Sequence, residues 1–144
     1  MIWLRIAIIA FVVLEIGNIG ILYFLPDSKL ANAMGYFKAW EKSKSDPDVH
    51  KMVKYLVNWV AGSKLIFILL LIVILIWGDA QILPFVGVAM TLSIATFFWR
   101  LFPSMKDMDQ KGQIDPKGYS RTLLSMIVGM IIVFLAATLL AVIS

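Results

Sequence analysis

The chain contains no cysteine, which excludes disulfides, thiol redox chemistry, thiolate nucleophiles and Cys-ligated zinc or iron–sulfur sites. Its one histidine, His50, is read as a solvated loop residue, so neither a bis-histidine haem nor a histidine-rich metal site can be assembled within one chain. Charged residues are scarce, 15% against ~25% in soluble domains. Glycine-rich phosphate loops, a GxSxG elbow, an HExxH helix and inverted repeats are all missing. Soluble-enzyme chemistry therefore has no foothold, and no metal or other cofactor is expected.

What the chain has instead is hydrocarbon. Hydrophobic residues make up 61% of it, against ~45–50% in soluble domains, and they fall in four blocks at about 2–25, 55–77, 82–102 and 119–143. At ~1.5 Å rise per residue each block reaches ~31–37 Å, enough to cross a ~30 Å hydrocarbon slab with some tilt. The first block is too long for a signal peptide and lacks a small-residue cleavage site before Pro26, so it is read as a spanning helix. The expected fold is an all-α integral membrane protein, an antiparallel bundle of four transmembrane helices, with residues 1–144 as a single domain.

Charge orients it. If the helices cross alternately, both termini and the link 78–81 lie on one face, and loops 26–54 and 103–118 on the other. Lys29, Lys38, Lys42, Lys44, Lys51, Lys54, Arg100, Lys106, Lys111, Lys117 and Arg121 belong to the loop face; only Arg5 belongs to the opposite one. Such a bias places the loops in the cytoplasm and both termini outside a cell membrane. The formal charge of +4 is explained by this bias and by attraction to anionic lipid, without nucleic acid.

Between the first two blocks, Leu30, Ala33, Met34, Phe37 and Trp40 recur at spacings of three and four, with Lys38, Glu41, Lys42 and Lys44 elsewhere around the wheel. This pattern predicts an amphipathic interfacial helix over 28–44, lying at the cytoplasmic headgroup level as an anchor, a lid or a docking face. Asp46-Pro47-Asp48 reads as a helix start ahead of the membrane, and Asp115-Pro116 repeats that logic before the fourth helix. Pro103 is expected to close the third helix, leaving 104–118 as a polar connector. The link Trp77–Gln81 is so short that the second and third spans are expected to pack as an antiparallel pair. Arg5 is read as a snorkelling end residue.

Two charges fall inside the blocks, Glu15 and Lys64, and each costs ~2.5–3.5 kcal/mol on insertion scales unless compensated. Both lie ~14–15 Å from the loop end of their helices, so adjacent antiparallel helices bring them together as an ion pair. Asn18 shares the Glu15 face, three positions on. Asn58, Ser93 and Thr96 fall in the same half of the membrane, with Arg100 and Arg121 at its rim, as do Ser63, Thr122 and Ser125. The candidate binding residues are thus Glu15, Asn18, Asn58, Lys64, Ser93, Thr96, Arg100 and Arg121. Interhelical Ser and Thr also serve as structural glue at ~0.6 kcal/mol per contact, and a buried ion pair is not in itself functional.

A glutamate halfway along the first of four helices, within Leu14-Glu15-Ile16-Gly17, resembles the small multidrug resistance transporters, whose Glu exchanges protons for cationic drugs. Those proteins have short loops, little charge bias and no lysine at the position of Lys64, and a cation beside Glu15 would make it a poor proton carrier near neutrality. The layout of four helices with both larger loops cytoplasmic is similar to the membrane enzymes of eicosanoid and glutathione metabolism, through Lys54-x-x-x-Asn58. The Glu which that pattern carries three positions later is Ala61 here. Neither likeness identifies a family.

Three functional readings follow. The foremost is a small transporter or channel-like protein, homo-oligomeric because four helices alone rarely enclose an aqueous path, with Glu15 and Lys64 in a site open to the cytoplasm. An alternative is a protein or enzyme that binds a lipid or other amphiphile, with its tail among the apolar side chains of the outer half and its anionic head at Lys64, Arg100 and Arg121. The third is an accessory scaffold of a larger membrane complex. Expected partners are membrane lipids and either further copies of the chain or a partner membrane subunit.

Overall fold

The computed structural model describes residues 1–143. It is all-helical: α1 (Ile2–Phe24), α2 (Lys38–Ser43), α3 (Pro47–Trp77), α4 (Leu83–Ala95), α5 (Leu101–Gln110) and α6 (Tyr119–Ile143), with short 3₁₀ turns at Met34–Tyr36 and Thr96–Phe98. No strand occurs among the described residues. Four helical stretches are long and apolar enough to cross a membrane, namely α1, α3, α4 together with α5, and α6. This is compatible with a multi-pass membrane protein.

Local chemistry sets the helix ends. Asp46 caps α3, its Oδ1 accepting from the amides of Asp48 at 3.1 Å and Val49 at 3.2 Å, with Pro47 in the first turn. His50 consequently stands in the first turn of α3 rather than in a loop. Its Nδ1 lies 2.8 Å from Ser43 Oγ and its ring packs against Trp40, so it is not simply solvated.

The third span departs from expectation at Pro103. Proline lacks an N–H and its ring clashes with the carbonyl four residues earlier in a continuous helix, here that of Trp99. The backbone accordingly breaks through the 3₁₀ turn and an irregular Arg100 (φ −123°, ψ −40°). A new helix, α5, then starts with Pro103 in its first turn, where the missing donor costs nothing. Pro103 therefore opens a helix instead of closing one, and residues 104–110 are helical rather than a connector. Asp115-Pro116 likewise does not open α6. The start of α6 is held from outside by Asp109 of α5, whose carboxylate accepts from Gly118 N, Ser120 N and Ser120 Oγ at 2.8, 3.0 and 2.6 Å.

Packing pairs α1 with α3 and α4 with α6, and α1 also packs on α6; α3 makes no comparable contact with α4 or α6. The second and third spans are thus not a packed pair. A short link fixes only where two helix ends sit, whereas side chains decide what lies along their length. For α1 and α3 those are Arg5, whose guanidinium donates to Leu75 O at 2.9 Å and Gly78 O at 3.2 Å, then Phe11 edge-on to Phe67, then Glu15 with Lys64. Their order shows that the two helices run in opposite directions. Arg5 does not snorkel: it satisfies carbonyls left over at the C-terminal end of α3. For α4 and α6 the close contact is Gly87, where any Cβ would overlap Thr138 Oγ1. Leu4, Ile8, Ile68, Leu83 and Phe134 are fully buried and form a packed layer towards the termini.

The segment 28–44 is not one helix. Only the 3₁₀ turn and the six-residue α2 are helical, and the chain before them turns back on itself, with Met34 N bonded to Pro26 O, Gly35 N to Ser28 O, and Ala31 at φ +46°. A Cβ at Gly35 would run into the carbonyls of Asp27 and Ser28, so only glycine permits this fold-back. Most of the predicted apolar stripe faces inwards, although Leu30 stays exposed. Ala33 and Trp40 are buried, and Met34 and Phe37 pack on the core formed by the chain's own helices. An antiparallel bridge between Phe37 and Ile114, a Lys29–Asp115 ion pair and a stack of Tyr36 on Tyr119 with centroids 4.1 Å apart tie this segment to the start of α6.

Candidate functional site

Separation of α3 from the α4–α6 pair leaves a cleft of about 490 Å³. Phe11, Phe67 and Met130 form its floor side, Met90, Ile94, Phe97 and Leu123 its walls, and Asn32, Ala33, Met34 and Phe37 of the folded segment its roof. Several lining residues, among them Val60, Phe67 and Leu101, remain exposed, so the cleft is open to its surroundings.

Into this apolar space project a few polar groups. Lys64 Nζ lies 2.7 Å from Glu15 Oε2, with the side chains 29% and 17% exposed respectively. Asn18 Nδ2 donates to the same carboxylate oxygen at 3.2 Å, while its Oδ1 accepts from Asn32 N at 3.2 Å. A buried asparagine therefore couples the ion pair to the roof. Among the described residues no protein donor reaches Glu15 Oε1, and the Lys64 ammonium has two further hydrogens to give. The pair is neutral as a unit, yet still offers both an acceptor and donors to whatever occupies the cleft.

The structure brings Glu15, Lys64, Ser93 and Thr96 to one cleft, with Asn18 directly behind Glu15. The Thr96 hydroxyl donates to Ser93 O at 2.6 Å, so part of its capacity is used within its own turn. The other three candidates stand elsewhere. Asn58 is exposed and makes no side-chain hydrogen bond among those described, Arg100 is exposed at the break between α4 and α5, and Arg121 lines a separate recess between α5 and α6. Asn32 and Tyr119 were not among the candidates. Asn32 enters through its backbone amide, which any residue carries, and Tyr119, whose hydroxyl donates to Ala31 O at 3.1 Å, lies one turn before Leu123 on the face of α6 that lines the cleft.

Comparison with family models, curated proteins and solved structures gives no match, so a functional reading rests on this geometry.

Proposed function

We propose that the chain is a membrane-embedded protein that binds a single-chain amphiphile, whose tail lies among Phe11, Phe67, Met90 and Met130 and whose head meets the Glu15–Lys64 pair. The observation that carries this is the cleft itself: mostly apolar walls, a volume within the ~300–1,000 Å³ of small-molecule sites, and a few convergent polar groups. Because the ion pair is neutral as a unit, a neutral head with hydroxyl or amide groups matches its donors and acceptor better than a multiply charged one. The gap between α3 and α4 supplies a sideways entrance for a lipid-like molecule.

Transport was the foremost sequence reading, but the packed layer of Leu4, Ile8, Ile68, Leu83 and Phe134 favours a one-sided cleft over a path through one chain. In the membrane the four spans would form an antiparallel bundle, with the lysine-rich loop end, capped by segment 26–46, in the cytoplasm. No observation favours a homo-oligomer or a scaffold over this reading.

The test is photolabelling of the full chain in phosphatidylcholine nanodiscs with a monoacylglycerol carrying a mid-chain diazirine. Labelling of Phe11, Phe67, Met90 or Met130, suppressed by excess unlabelled monoacylglycerol, is the expected outcome. Labels confined to outward residues such as Phe85, Leu92 and Ile132, and insensitive to competitor, would refute the proposal.

A further inference from the structure

A second recess, of about 460 Å³, lies between α5 and α6 and shares no lining residue with the cleft. Lys106, Lys117 and Arg121 surround it, with Asp109, Gln110 and Ser120 between them and Phe102 and Leu124 at one side. Its one carboxylate, Asp109, turns both oxygens to the start of α6, accepting from Gly118 N, Ser120 N and Ser120 Oγ, and keeps its negative charge. The nearby Asp107 is held by Lys111 at 2.8 Å. Among the described residues Lys106, Lys117 and Arg121 are exposed and none makes a salt bridge, although the Lys117 charge acts on Asp109. Three cations thus surround one concave site that holds a single carboxylate, an excess of two positive charges.

Their placement is layered. On α5, Lys106 follows Phe102 by four residues; on α6, which runs the other way, Arg121 precedes Leu124 by three. Both cations therefore stand one turn nearer the loop end than the apolar residue beneath them. We infer that this recess binds the phosphate of an anionic phospholipid, Arg121 gripping two phosphate oxygens with its planar fork, Lys106 and Lys117 flanking as point charges, and the acyl chains descending past Phe102 and Leu124. A soluble phosphate would use the cations but not the apolar step below them.

The test measures affinity of the full chain in a neutral detergent for short-chain phosphatidylglycerol, short-chain phosphatidylcholine and inorganic phosphate, using native mass spectrometry. At ~1 kcal/mol per interfacial cation, replacing Lys106, Lys117 and Arg121 together by Gln is expected to weaken phosphatidylglycerol binding roughly 100-fold. Arg121→Gln alone, the milder change should the triple variant fail to fold, is expected to weaken it about fivefold. Replacing Lys38, Lys42 and Lys51, equally charged lysines outside the recess, should leave it unchanged. Equal losses in both triple variants, or equal wild-type binding of the two lipids, would overturn the site. Competition by inorganic phosphate as effective as by the lipid would overturn its assignment to a lipid.

Discussion

Lys64 places its ammonium nitrogen 2.7 Å from Glu15 Oε2, across 49 residues of chain and between two helices that run in opposite directions. The same oxygen receives Asn18, so three groups share one corner of an otherwise apolar cleft. Each charge makes the other tolerable, because an ion stranded in a poorly hydrated site costs several kcal/mol.

Removing one partner should therefore be worse than removing both. Glu15→Gln or Lys64→Met is expected to destabilise by about 1–3 kcal/mol, below the ~3–5 of a fully buried pair because both side chains keep some exposure. The double variant should recover much of that loss. Thermal unfolding in a fixed detergent measures it, and a double variant no milder than the worse single one would contradict the pairing.

Equal depth of Glu15 and Lys64 was legible in the sequence because an apolar helix is a ruler: counting residues from each block's end predicts which side chains meet. The spans themselves were legible for the same reason. The segment 28–44 was not, since a three-and-four apolar spacing looks the same whether it faces lipid or the end of its own bundle, and here Trp40 and Ala33 face inwards. Pro103 misled because a proline that ends a helix at one position also starts one when it falls in a first turn. The cleft was illegible because it comes from α3 and α4 not packing, which a short link conceals. The Asn18–Asn32 bond uses a backbone amide that no pattern marks.

Gly87 and Thr138 provide a second test. A Cβ at Gly87 overlaps Thr138 Oγ1, a buried oxygen without a hydrogen-bond partner among the described residues. Gly87→Ala should cost about 1–3 kcal/mol as overpacking, and adding Thr138→Ala should relieve most of it. Unfolding midpoints of the two single variants and the double one decide this, and strict additivity would speak against the contact.

Asp109 should act as the cap of α6 although it belongs to α5. Asp109→Ala removes acceptors from Gly118 N, Ser120 N and Ser120 Oγ, with an expected loss of about 1–2 kcal/mol. Hydrogen exchange should accelerate at Gly118 and Ser120 first. Unchanged exchange there would refute the capping role.

Acid should loosen the folded segment before the helices. Asp27 accepts from Lys44 Nζ and from Trp40 Nε1, and these bonds, the lysine's foremost, hold its carboxyl below the usual carboxylate range. A depressed acid contributes stability above its unfolded pKa, ~3.9, and that contribution is lost as pH falls through the folded value. The Trp40 indole N–H resonance in a ¹⁵N spectrum should shift in that acid range, and Asp27→Asn should abolish the step. A Trp40 signal flat down to global unfolding would contradict it.

The most direct test of the central claim is a structure in lipid nanodiscs with bound monoacylglycerol, at a resolution that separates ligand from water. An elongated density between α3 and the α4–α6 pair, its head within hydrogen-bond distance of Lys64 Nζ or Glu15 Oε1, is the predicted result. A cleft holding only a column of water continuous past Leu4, Ile8 and Phe134 to the terminus end would contradict amphiphile binding and return the account to transport.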